Sequence, residues 1–338
     1  MSHPIDLRSD TVARPGTTMR QAMAEAEVGD DVFNDDPTTQ KLEALAARTL
    51  GKEAALFAPS GTQTNLIALL THCARGDEYI VGQSAHTYLY EGGGGAALGG
   101  IQPQPLTIEP DGTLNLDKVE GLIKPDDFHY ARTRLLCLEN TSHGRVLPLS
   151  YLQSARDFVD KHNLNLHLDG ARLFNAAVAS GDSPAAIAAP FDSISFCLSK
   201  GLGAPVGSLL VGSTNFINQA RRWRKVVGGG LRQSGQLAAA GIYALENHVD
   251  RLADDHTLAQ TLADGLATIP NVTIDYTATN MVFARFPDPD ALAAHLAENN
   301  ILIFPGTPTR LVTHLDLDQD AIAKCVDSVA AYAKQMGR

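Results

Sequence analysis

Apolar residues along this chain switch repeatedly between two periods. Short, near-continuous apolar runs predict strands at AALFA from Ala54, EYIVG from Glu78, RLLCLEN from Arg134, NLHLDG from Asn165, SISFCLS from Ser193 and GSLLVG from Gly207. Segments with helical spacing lie between them, such as TNLIALLTHCA and SYLQSARDFVDKHN. Helical spacing also marks MRQAMAEAE and the stretch from about Thr38 through KLEALAARTLG, which Gly51 closes. Strands apolar on both faces, alternating with amphipathic helices, predict a parallel or mostly parallel sheet covered on both sides. The residues up to about Pro15 read as a polar, irregular arm. The pattern changes after about Ala244, where a long helical stretch, ENHVDRLADDHTLAQTLADGLATI, leads into short strands at NVTIDY, MVFARF, ILIFPG and RLVTHLD and a closing helix. These shifts divide the chain into an arm over 1–15, a large domain over 16–245 and a smaller C-terminal α/β domain over 246–338.

Composition narrows the class. A chain of 338 residues, 44% of them hydrophobic, has the material for about two packed domains. Acidic residues outnumber basic ones 38 to 27, a net charge of −11, which argues against nucleic-acid and anionic-membrane partners. The start, MSHPIDLRSD, lacks the basic and apolar regions of a secretory signal, and no run of about 18 apolar residues predicts a membrane span. The four cysteines are widely spaced in apolar stretches, as buried reduced thiols of a cytoplasmic protein would be. No histidine or cysteine cluster has metal-ligand spacing, so no metal is expected.

The candidate chemistry sits just past the predicted strands. Lys200, in SFCLSKGLGAPVG, follows an apolar run at the edge where ligand sites form in open α/β sheets. A lysine there can form a Schiff base, although a lone lysine is more often a solvated loop residue. The glycines after it are spaced G-x-G-x-x-x-G with no clear acidic partner, a poor match to a nicotinamide site. Asp169 ends the run LHLDG and suits either a helix cap or the partner of a protonated heterocyclic nitrogen. The turn SGTQTN places Gly61 and Thr62 at a helix start, where backbone amides bind phosphate or are simply capped. His86, after EYIVGQSA, fits a ring-stacking or an ordinary loop role, and His129, in DDFHYART, a proton acceptor or a bystander. Residues 228–230, followed by Arg232, fit an anion nest or a turn. Taken together, phosphate turn, stacking histidine, aspartate and lysine describe a pyridoxal-phosphate site.

The sequence resembles the low-specificity and L-allo-threonine aldolases of the β-eliminating lyase group. The resemblance runs through IDLRSDT, GDDVFNDDPT, GKEAALFAPSGTQTN, LENTSHGRVLP, LHLDGARLFNA, CLSKGLGAPVGSLLVGS, RWRKVVGGGLRQSG and RLVTHLD. It implies the fold-type-I, aspartate-aminotransferase-like architecture, with a mostly parallel seven-stranded sheet in the large domain. It implies that Lys200 carries pyridoxal 5′-phosphate, Asp169 pairs with its ring nitrogen, His86 stacks on the ring, and Gly61 and Thr62 hold the phosphate. It further implies that Ser9, Arg172 and Arg310 bind a substrate carboxylate and that His86 and His129 lie near a β-hydroxyl. Tyr90 would line the side-chain pocket. Lys225 and Arg232 would approach the cofactor, contributed by a neighbouring subunit of a homotetramer built from dimers with shared sites. The implied reaction is aldol cleavage of threonine-like amino acids to glycine and an aldehyde, with β-elimination, transamination or racemisation as the rival chemistries and cofactor binding without turnover as the rival class. The chain departs from the family pattern at Phe33 and Asn34, where Tyr and Gly are usual, and at Ser142–His143, where His–Asn is usual.

Overall fold

The computed structural model describes residues 3–336. Its strands are β1 (Ile5–Asp6), β2 (Ala54–Ala58), β3 (Asp77–Gly82), β4 (Gln102–Leu106), β5 (Arg132–Glu139), β6 (Asn165–Asp169), β7 (Ser193–Cys197), β8 (Ser208–Gly212), β9 (Thr273–Ala278), β10 (Met281–Arg285), β11 (Ile301–Leu302) and β12 (Thr309–Val312). Seven of them form the main sheet in the order β2-β8-β7-β6-β5-β3-β4. Strands β7, β6, β5, β3 and β4 run parallel, and β8 lies antiparallel between β7 and β2. The mostly parallel sheet is therefore as expected. The apolar runs locate six of its strands. The seventh, β4, reads QPQPL and lies at the sheet edge, where a proline's missing amide has no ladder partner to lose.

Successive side chains are buried on alternate faces of the strands because helices cover both sides of the sheet. Ala55 and Phe57 of β2 and Leu136 and Leu138 of β5 pack with the helices Pro37–Thr49, Leu149–His162 and Gly235–Asn247. Their neighbours Leu56, Leu135 and Cys137 face the helices Gly61–His72 and Thr214–Val226. Each fully buried leucine contributes roughly 1.5–3 kcal/mol by leaving water. All four cysteines are buried and free. Among the described residues no helix is long and apolar enough to cross a membrane.

A second core lies under the antiparallel sheet β9–β10–β12, where Leu262, Leu266, Val282, Leu296 and Ile322 pack together. The long helical stretch expected from Glu246 is in fact two helices, Gly235–Asn247 and Leu252–Ala267, broken over 248–251. The N-terminal arm also departs from expectation. Its strand β1 pairs parallel with β11, and Leu7 is fully buried in the second core. The Leu7 amide donates to Leu302 O at 2.9 Å and its carbonyl accepts from Val312 N at 2.9 Å. A polar-looking segment is thus held in place by apolar partners far along the chain, and it delivers Ser9 and Asp10 to the site.

Candidate active site

Five elements converge at the carboxyl edge of the main sheet. Strand β6 ends on Asp169 and β5 on Glu139, which are register partners. His86 follows β3, Lys200 follows β7, and the helix Gly61–His72 starts just after β2. A cavity of about 160 Å³ lies between them, lined by Gly61, Thr62, Asn65, His86, Asp169 and Lys200 among others. Ser60 caps the helix, its Oγ accepting from Gln63 N at 3.2 Å. The preceding amides of Gly61 and Thr62 are left at the positive helix end, which suits an anion. Gly61 has no room to spare, since a Cβ there would lie 2.8 Å from Cys197 Sγ. We expect Gly61→Ala to push the Cys197 and Lys200 wall inward and weaken cofactor binding about tenfold, read by titrating the protein with pyridoxal phosphate.

The Asp169 carboxylate is held from two sides. Its Oδ1 accepts from Ala171 N at 3.0 Å and its Oδ2 from Asn65 Nδ2 at 2.9 Å. Each oxygen keeps a further lone pair for a ligand. His86 Nδ1 lies 2.8 Å from Glu91 Oε1, and its backbone amide donates to Glu139 Oε2 at 2.8 Å. The bond to Glu91 raises the imidazole's proton affinity, against the effect of burial and with help from Asp169. Burial first, then the neighbouring Asp169 charge, pushes the Glu139 carboxyl up to about 7. Burial likewise raises Glu91. Polar atoms of His86, Glu91 and Asp169 lie within 4.8 Å of one another, close enough for a cation. Hydrogen bonds from Asn65 to both carboxylates, and from His86 to Glu91, account for the clustering.

His86 also lines a larger cavity of about 520 Å³. Its lining mixes polar Tyr90, Glu139, His143, Arg172 and Arg310 with apolar Met281, Phe283 and Phe304, and Arg310 lies beside Phe283 as its register partner. Arg172 clamps Asp10 through Nε at 2.8 Å and Nη2 at 2.6 Å, and Asp10 is fully buried. Burial alone would raise the Asp10 carboxyl, but the charge and hydrogen bonds of Arg172 outweigh it and bring it down to about 2. Burial, then the like charge of Arg172, lowers the affinity of Arg310 for its proton. Asp10 thus neutralises Arg172 and leaves Arg310 as the guanidinium for an anionic ligand, while Glu139, which lines the same cavity, is pushed toward its neutral form by burial. Ser9 adjoins them, its Oγ capping Thr11 N at 3.2 Å.

Some expected residues do not reach this site within one chain. His129 precedes β5 and so sits at the amino edge of the sheet, opposite the site, with Nδ1 2.6 Å from Asp127 Oδ1. Phe128 beside it is 91% exposed. Lys225 lines a separate cavity of about 590 Å³ with Asp31, Arg221 and Arg224. Arg232 donates to Asp30 Oδ2 at 3.0 Å and lies 5.9 Å from the exposed Phe33 ring. Asn34 adopts φ of +59°, a left-handed conformation that Asn tolerates better than most side chains. His143 lines the larger cavity, with Nε2 3.0 Å from Ser84 Oγ. Its proton affinity is lowered by burial and then by Arg310, Arg145 and Arg172. Sequence reasoning did not single out Asp10, Asn65, Glu91 or Glu139. The blocks RSDT, GTQTN and LENT, each beside a residue that was singled out, are the signal that points to three of them.

A lysine beyond a strand end, an aspartate fixed as an acceptor, a covering imidazole and open helix amides define a pyridoxal-phosphate-dependent enzyme of fold type I. The β-eliminating lyase family model matches residues 6–288. The low-specificity L-threonine aldolase of Escherichia coli K12 is 55% identical over 322 residues, covering 95% of this chain and 96% of its own. A probable low-specificity L-threonine aldolase of Arabidopsis thaliana is 43% identical, over 96% of this chain and 97% of its own. Among solved structures, the Leishmania major threonine aldolase superposes with a TM-score of 0.85 at 22% identity, covering 98% of this chain and all (100%) of its own. A putative L-allo-threonine aldolase of Listeria monocytogenes gives 0.79 at 21% identity, with 97% and 96% covered. These two structural likenesses speak for the fold. The chain belongs to the β-eliminating lyase family and, within it, to the low-specificity L-threonine aldolases.

Proposed function

We propose that this enzyme cleaves L-threonine, L-allo-threonine and related β-hydroxy-α-amino acids to glycine and an aldehyde. The observation that carries the reading is that Lys200 and Asp169 bound one cavity, which shares His86 with a second cavity holding an excess guanidinium charge. The first cavity fits the cofactor: a basic nitrogen, an acceptor carboxylate and a glycine cradle that a Cβ would fill line one pocket. When bound, pyridoxal 5′-phosphate supplies an aldehyde for amines and a cationic ring that takes up electron density from the breaking bond.

The chain's own residues do the rest. Lys200 is the amine that holds the cofactor and yields to the substrate amine. Asp169 would accept from the ring N–H, His86 would pack against the ring, and the Gly61 and Thr62 amides would hold the phosphate. Arg172 and Arg310, with Ser9, hold the substrate carboxylate. That grip would fix rotation at Cα and so select the bond to Cβ as the one that breaks. His86, whose imidazole Glu91 makes more basic, accepts the β-hydroxyl proton directly or through water. The 66%-exposed Tyr90 forms the mouth of the side-chain pocket.

The enzyme is cytoplasmic and works as a homotetramer, a dimer of dimers in which a neighbouring subunit brings His129, Lys225 and Arg232 to the site. The outward placement of these three, beside exposed Phe33, Phe128 and Val226, supports that assembly. The experiment is to offer both threonine diastereomers to the protein loaded with pyridoxal phosphate and to measure acetaldehyde and glycine together. Equal yields of the two products are expected. Ammonia with a keto acid instead would replace aldol cleavage with elimination, and a keto acid without ammonia would replace it with transamination.

A further inference from the structure

Behind Asp169 runs a buried chain of polar side chains that the reaction steps above do not use. We propose that Asn65 and His167 are positioning residues that hold the Asp169 carboxylate as the acceptor for the cofactor's ring nitrogen. The proposal rests on the reading of Asp169 given above.

Donor and acceptor roles in this chain can be assigned one by one. Asn65 is 2% exposed on the helix Gly61–His72, and its Nδ2 donates to Asp169 Oδ2 at 2.9 Å and to Glu91 Oε1 at 2.8 Å. Turning the amide over would set its oxygen against both carboxylates, so this orientation is the one the charges permit. With both amide hydrogens engaged, Asn65 Oδ1 has only to accept. Its neighbour at 3.2 Å is Nε2 of the fully buried His167, which must therefore carry the proton. Burial first, then His72, lowers the His167 pKa to about 3, so the ring is neutral and its Nδ1 is an acceptor. Ser193 Oγ lies 2.7 Å from that Nδ1 and donates to it. The same oxygen then accepts from His72 Nε2 at 2.7 Å.

Four side chains, His72, Ser193, His167 and Asn65, thus form a one-way run of hydrogen bonds that ends on Asp169. Such a run polarises its members in one direction and, in a dry interior, leaves no alternative pairing. Asn65 also holds Glu91, which holds the His86 imidazole. One amide therefore sets both the carboxylate facing the ring nitrogen and the imidazole over the ring. The residues that face the network from other elements are Glu139, Lys200 and Asp192.

Two variants and a spectroscopic measurement test the proposal. In His167→Phe the Asn65 oxygen loses its donor. We expect kcat to fall about tenfold with the threonine KM within about twofold, and the pH midpoint of the cofactor's visible band to move by about one unit. His167→Gln, which keeps an N–H for Asn65, should recover most of both. Asn65→Ala should move the midpoint in the same direction as His167→Phe. Nitrogen-15 NMR of the holoenzyme should show His167 neutral and protonated on Nε2 from about pH 5 to pH 9. A folded His167→Phe enzyme with wild-type midpoint and kcat overturns the proposal. So does an Nδ1-protonated or doubly protonated His167, a result that stands even where His167→Phe does not fold. Asp169→Asn separates the two readings. If it destroys the band and turnover while the His167 and Asn65 variants change nothing, only the network proposal fails. If Asp169→Asn also changes nothing, the assignment of Asp169 fails with it.

Discussion

Replacing Lys200 by Ala removes the visible absorbance of the bound cofactor and lowers aldehyde release by more than about a thousandfold, because among the described residues no other amine lines the Lys200 cavity. The expectation is sharp because the side chain does little else. Lys200 is half-buried, and its hydrogen bond is a long one, 3.5 Å, to Cys197 Sγ. Its loss should leave the folded state within about 0.5 kcal/mol of wild type, so a fall in activity reads out chemistry and not unfolding. Lys200→Arg sharpens the test, since it keeps the positive charge but offers no amine that condenses with an aldehyde. Absorbance spectra and glycine release from the two variants, beside an unchanged thermal midpoint of the cofactor-free proteins, are the measurements. A retained cofactor band, or turnover within tenfold of wild type, would remove Lys200 from the centre of the reaction.

The large sheet is legible from the sequence because parallel strands buried on both faces leave uninterrupted apolar runs. AALFA, SISFC and SLLVG are strands in full. The run stops being informative at the edge: Gln102–Leu106 is only half-buried, and its prolines mask the extended backbone. The arm fails for a different reason. Ile5 and Leu7 gain their structure from β11 and from Val312, about 300 residues away, which no local pattern can announce. The same logic divides the site. Lys200, Asp169, His86 and Gly61 are visible because each lies at or within a few residues of the carboxyl end of a strand, and strand ends gather at one edge whatever the remaining contacts are. Asn65 and His167 are not, because an interior face of a helix or strand looks alike whether it carries packing or a hydrogen-bond relay. His129 has a reactive residue type but lies before a strand and not after it, so within one chain it falls at the wrong edge.

Asp10→Asn is expected to destabilise the protein by about 3–5 kcal/mol near neutral pH and to lower kcat/KM for threonine by at least about tenfold. Both effects come from Arg172. The Arg172 side chain is 13% exposed, at the cavity wall, and Asp10, with no exposure of its own, is the carboxylate that neutralises it. Asparagine keeps one carbonyl oxygen for one of the two contacts, at 2.8 and 2.6 Å, that aim Arg172, but turns an NH2 on the other, and Arg172 stays charged beside Arg310 without a counter-charge. The stability effect carries a pH signature. Burial works against the Asp10 anion, but Arg172 more than offsets it and lowers the carboxyl from 3.8 to about 2 in the folded state. A depressed folded-state pKa contributes stability that is present above the unfolded value and is lost as protons bind, here between about pH 4 and pH 2. The contribution is about 2 kcal/mol, from 1.36 kcal/mol per pKa unit. Every other carboxylate is common to wild type and variant, so their titrations cancel in the difference. Urea unfolding of both proteins at pH 6 and at pH 2.5 isolates the term. The gap should narrow by about one to two kcal/mol, roughly a third of the whole, over that interval. A gap that stays constant with pH would mean that Asp10 contributes shape alone, and the electrostatic account of the guanidinium pair, with the spare positive charge it leaves for a substrate carboxylate, would fall with it.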